Sequence, residues 1–73
     1  MSTAVDFRLR GDHVALCDLL KLVGVADSGG QAKHLIAEGE ATVDGQVERR
    51  KTAKIRAGQT VRCCGREIRV LAD

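Results

Sequence analysis

The chain has no proline, no tryptophan and no tyrosine, and Phe7 is its single aromatic residue. With one ring available, stacking unpaired bases on exposed aromatics is a poor route to nucleic-acid binding. No apolar run approaches the roughly 20 residues that span a bilayer. The opening Met1-Ser-Thr-Ala-Val-Asp-Phe-Arg lacks the basic-then-apolar layout of a signal peptide. A cytoplasmic location is the expectation, and no membrane partner. The three cysteines fit it, since an odd count without a secretion signal argues for reduced thiols. Repeats, low-complexity tracts and linkers are also missing.

Chemistry-bearing constellations are scarce as well. Cys63 and Cys64 are neighbours rather than a Cys-x-x-Cys pair, so a zinc knuckle is not indicated. As neighbours on a strand, they are expected to point their side chains to opposite faces. Cys17 reads as a core residue of the first helix. His34 reads as a surface histidine and His13 as structural. No Ser-His-Asp or Cys-His arrangement is recognisable. Seventy-three residues make one domain, expected to span residues 1–73. A chain of that size buries only about 60% of its unfolded surface and has little room for a walled substrate cleft. The expectation is no enzyme, no cofactor and no metal.

What the chain does have is divided charge. Residues 1–48 carry four basic and eight acidic side chains, a net −4, whereas residues 49–73 carry eight basic and two acidic ones, a net +6. A basic patch on an acidic remainder can orient a polyanion. The same residues could equally solvate exposed strand faces.

The hydropathy pattern is α+β. Val5–Arg10 alternates apolar and charged residues, the period of a half-buried strand, and Gly11 breaks it. Asp12 is a candidate cap for a helix over His13–Val23, with Leu16, Leu19, Leu20 and Val23 on one face. Gly24 suits its termination. Ser28 followed by Gln31 is a capping-box pattern for a second helix, Gly29–Glu38, with Ala32, Leu35 and Ile36 buried. Four or five short strands follow. Asp44-Gly45 favours a type I′ hairpin turn, and Cys64-Gly65 marks another turn. Arg49-Arg50-Lys51-Thr52 is a basic loop.

Ser28-Gly-Gly-Gln-Ala32-Lys33-His-Leu35-Ile36-Ala-Glu-Gly39-Glu-Ala-Thr-Val43-Asp44-Gly45 resembles the helix–turn–hairpin signature of the alpha-L RNA-binding motif. This is the domain named after the fourth protein of the small ribosomal subunit. The resemblance runs on through Ala57-Gly58-Gln59-Thr60-Val61 and covers about residues 14–62. The run Leu16-Cys17-Asp18-Leu19-Leu20-Lys21-Leu22 and the Arg-Lys-rich loop are similar to the small stand-alone bacterial proteins of the YbcJ type. The chain departs from the family's usual pattern at Ala15, Cys17, Gly29, Lys51 and Gln59.

The resemblance implies two helices packed on a small, mostly antiparallel sheet. It also implies a non-catalytic module that binds structured RNA, ribosomal or ribosome-associated, with room for a protein partner in a ribosome-related complex; the sequence carries no clear dimer signal, and a monomer is expected. The expected RNA-binding face comprises Ser28, Gly29, Gly30, Gln31, Lys33, Arg49, Arg50, Lys51 and Lys54. The glycines at the second helix's start would admit a phosphate to its free N–H groups, or else merely permit tight packing. Arg62, Arg66 and Arg69 either extend the patch or blunt an exposed edge strand, the second being favoured. An adaptor that docks its basic loop on an acidic protein is one rival reading, and a thiol-based redox or metal-sensing protein using Cys63 and Cys64 is a second.

Overall fold

A computed structural model describes residues 3–73. The elements run β1 (Thr3–Arg8), β2 (Val14–Ala15), α1 (Leu16–Leu22), α2 (Gly29–Ala37), β3 (Ala41–Val43), β4 (Gln46–Val47), β5 (Lys54–Ile55), β6 (Thr60–Cys63) and β7 (Arg66–Leu71). Five strands form one sheet in the order β1-β7-β6-β3-β4, and β2 pairs with β5 in a separate two-stranded ladder. All pairings are antiparallel except β1 with β7. The α+β expectation holds.

The two helices supply one wall of the core. Leu16, Leu19 and Leu20 from α1 and Ala32 and Ile36 from α2 are fully buried. They meet Val61 and Cys63 of β6 and Ile68 and Val70 of β7, the inward residues of alternating strands. Leu35, expected inside, is half-buried and packs at the margin. Leu22 lies off the apolar face of α1 and is 64% exposed.

The helix starts differ in a way the sequence did not indicate. α2 begins as expected, with the Gln31 N–H donating to Ser28 Oγ at 3.1 Å. Its reciprocal half is shifted, because Gln31 Oε1 accepts from Asp27 N–H at 2.6 Å rather than from Ser28. α1 starts three residues later than His13, and Asp12 does not cap it. Its N-cap is Ala15, which offers no side-chain acceptor. The orphan N–H groups of Leu16 and Cys17 donate instead to the carbonyls of Ala53 (2.9 Å) and Lys51 (3.0 Å). Val14 and Ala15, read as helical, are drawn into strand pairing with Ile55 and Lys54. Asp12 instead accepts from His13 Nδ1 at 2.9 Å and faces Arg56 Nη1 at 3.5 Å.

β1 is displaced two residues toward the N-terminus of the expected strand, because it follows the register of β7, which pairs Arg8 with Leu71. The Asp44-Gly45 turn has both φ angles positive, 51° and 86°, as a type I′ turn requires. Asp44 also locks this hairpin onto β6, donating its N–H to Thr60 O (2.8 Å) and accepting Thr60 N–H on Oδ1 (2.9 Å).

Candidate nucleic-acid interface

The basic loop is moored at both ends of its backbone. Lys51 O and Ala53 O hold the start of α1, and Ala53 N–H donates to Arg50 O at 3.2 Å within the loop. Lys51 and Lys54 therefore sit on fixed backbone with exposed side chains. A loop rich in like charge would otherwise be expected to sample many conformations.

Arg49 has its own seat. A Cβ at Gly39 would lie 2.9 Å from Arg49 Nη2 and 3.3 Å from its Cζ. The guanidinium thus packs against Gly39, just past the C-terminal end of α2, where a cation complements the helix dipole. Ser28, Gly29 and Gly30 mark the opposite end of the same helix. Nine residues at about 1.5 Å per residue separate the two by some 13 Å. Lys33 lies between them, exposed.

The glycines of that first turn are not required by packing. A Cβ at Gly29 would meet nothing within 4 Å, and one at Gly30 only Ser28 Oγ at 3.9 Å. The alternative that these glycines allow a close internal contact is therefore excluded. They leave the space where their side chains would begin open at the start of α2.

Ion pairing sorts the cations. Arg50 is turned onto Glu48, with Nη2 3.0 Å from Oε1 and Nε 3.2 Å from Oε2. The Arg50 hydrogen bond holds the Glu48 carboxyl below the usual carboxylate range, and Glu48 in turn raises Arg50. Arg56, Arg62 and Arg69 pair with Asp12, Glu67 and Asp6. Among the described residues, Lys33, Arg49, Lys51 and Lys54 have no acidic partner within 4 Å, and neither do Arg8, Arg10, Lys21 and Arg66.

One expectation is corrected here. Arg62 and Arg69 do not blunt an edge, since β6 and β7 are interior strands flanked by β3 and β1. They project from the sheet face, where cross-strand carboxylates lie directly opposite: Glu67 faces Arg62, and Asp6 faces Arg69. Arg66, at the start of β7, has no such ion pair among the described residues. The sequence reading also missed Gly39 as the seat of Arg49, having taken it only as a helix stop. The spacing of a helix-ending glycine from a following hairpin and arginine was the available signal.

Two helices against a short-stranded sheet, with a hairpin following α2 and a moored basic loop, define a small nucleic-acid-binding type of domain. The sequence agrees: residues 7–71 match the S4 domain family, and the chain belongs to it. It is 60% identical to YbcJ of Escherichia coli strain K12 over 60 residues, covering 82% of this chain and 86% of that one. YbcJ of Shigella flexneri matches to the same extent. The solution structure of E. coli YbcJ, reported to reveal an αL motif involved in RNA binding, superposes with a TM-score of 0.75. That match is 55% identical and covers 99% of this chain and 92% of the other.

Proposed function

We propose that this chain is a non-catalytic RNA-binding unit that engages structured RNA, ribosomal or ribosome-associated, through the face built on α2 and the basic loop. The observation that carries the reading is the separation of free from committed cations. Among the described residues, Lys33, Arg49, Lys51 and Lys54 have no acidic partner, and the last three fall in one short segment after the hairpin whose Lys51 and Ala53 carbonyls are held by α1. An A-form helix is read largely through phosphates, 2′-hydroxyls and shape, which suits a rigid basic surface with no exposed aromatic rings.

Ser28, Gly29, Gly30 and Gln31 supply the second half of the interface. A phosphate oxygen would meet the first N–H groups of α2, a reading supported by the open space where a Gly29 side chain would begin. Gln31, fixed by Asp27, and Ser28, fixed by Gln31, shape that end. Arg49 and Lys33 would meet further phosphates along the helix. Arg50, still paired with Glu48, joins the set as a weaker contact. Membership in the S4 domain family and the likeness to YbcJ support the assignment. On this reading the chain acts as a monomer in the cytoplasm, where its thiols stay reduced.

The test is binding of the protein to a labelled stem-loop RNA, a single-stranded RNA and a DNA duplex, each at low and moderate salt. Preference for the stem-loop, lost when Arg49, Lys51 and Lys54 are changed to alanine together, is the expected result. Equal weak binding to all three ligands would overturn it. Copurification of a protein that survives nuclease treatment would favour the adaptor reading in its place.

A further inference from the structure

Away from the basic loop, the fold brings two nucleophiles together. Cys63 ends β6 with its side chain in the core, 2% exposed. Cys64 and Gly65 form the tight turn into β7, both with positive φ, 57° and 77°. Because Cys64 is in the turn and not on the strand, its side chain does not point away from that of Cys63, contrary to simple strand alternation. The two Sγ atoms are 3.3 Å apart, and Cys64 is exposed. They border a shallow cavity of about 450 Å³ that Glu40, Thr42, Arg62 and Arg66 also line.

Several chemistries are open to a vicinal dithiol, and the geometry selects among them. A disulfide is disfavoured, since adjacent α-carbons are about 3.8 Å apart and disulfide-linked ones usually at least about 4.4 Å. A bridging atom needs no contraction. With sulfur bonds of about 2.3 Å, two sulfurs 3.3 Å apart subtend roughly 90° at the atom between them. A linear two-coordinate copper(I) ion does not fit that angle. Tetrahedral zinc needs four ligands, and among the described residues no group of three or more His, Cys, Asp or Glu is placed to hold a metal. A pyramidal trivalent metalloid bonds near that angle and accepts two protein ligands.

We propose that Cys63 and Cys64 form a bidentate dithiol site for trivalent arsenic, inorganic or as a monosubstituted organoarsenical. The reaction is an exchange without redox change. Two S–H bonds and the arsenic–oxygen bonds break, two As–S bonds form, and the thiol protons leave with the oxygen as water. An organoarsenic oxide releases one water, and arsenite, which keeps one hydroxyl, releases two. Cys64, accessible in the turn, makes the first bond. The Cys63 thiol is pushed up to about 12 by burial first and then by its contact with Cys64, so it stays protonated and closes the ring second.

The probe is phenylarsine oxide added to the reduced full chain, with intact mass and a count of free thiols. The expected product is one phenylarsenic per chain with two thiols consumed, released by 2,3-dimercaptopropanol but not by a monothiol. Cys64→Ser, a substitution in an exposed turn whose fold is checked by melting, should weaken binding by roughly 100-fold or more through loss of the chelate. Cys17→Ser should leave binding unchanged. No adduct, an adduct that consumes a single thiol, or one retained equally by folded Cys64→Ser would overturn the assignment.

Discussion

Gly39 and Arg49 fit together as a seat and its occupant: the place where a Gly39 side chain would begin lies 2.9 Å from the Arg49 guanidinium. Gly39 also has φ +80°, which L side chains adopt at a cost of about 1–2 kcal/mol. Gly39→Ala should therefore lower stability by about that amount and displace Arg49. A melting-temperature drop of roughly 4–16 °C is expected for a domain this size. RNA affinity measured well below the new midpoint should fall as it does for Arg49→Ala. If Arg49→Ala binds like the parent, the seat has no bearing on RNA.

Arg50 and Lys51 are adjacent in sequence and differ in commitment. Arg50 is paired with Glu48, whereas Lys51 has no carboxylate partner among the described residues. Each phosphate neutralised contributes roughly 0.7–0.9 to the slope of log K against log salt. Lys51→Ala should reduce that slope by nearly a full contact, and Arg50→Ala by distinctly less. Filter binding at four salt concentrations measures both slopes. A larger loss from Arg50 would mean that RNA displaces Glu48.

Gly29→Ala separates the packing of α2 from its ligand. Its Cβ would project into open space and meets no protein atom within 4 Å. Helix propensity then favours alanine, by up to about 1 kcal/mol. The variant should melt at the parent's temperature or a few degrees higher. Its RNA affinity should fall, because the methyl group occupies the approach to the helix N–H groups. A stabilised variant with undiminished binding would remove this end of α2 from the interface.

Glu48 gives a titration that reports on the free protein. Its folded-state pKa is depressed by the Arg50 hydrogen bond, so the pair favours the folded state above the ordinary carboxyl pKa near 4.3. That contribution is lost as pH falls through the lower folded value. The Glu48 side-chain resonance should titrate below about 4.3, and Arg50→Ala should return its midpoint toward that value. A midpoint unmoved by the substitution would show that the pair does not persist in solution.

Residues close in sequence determined much of this protein. The 3.6-residue spacing of Leu16, Leu19 and Leu20 gives α1 its buried face, and the alternation of Val61, Cys63, Ile68 and Val70 gives the inward side of two strands. Ser28 and Gln31 fix the start of α2, and Asp44-Gly45 fixes the hairpin turn, because those interactions span at most four residues. The divided charge and the basic loop were legible for the same reason. What depends on distant partners was not. The start of α1 is set by carbonyls some 35 residues away, at Lys51 and Ala53, so neither Asp12 nor the helical spacing of Val14 and Ala15 decided it. Strand order made β6 and β7 interior and placed Glu67 and Asp6 opposite their arginines. The tertiary structure thus decided which cations are spent within the chain and which remain free, since a charge is neutralised by what lies near it in space.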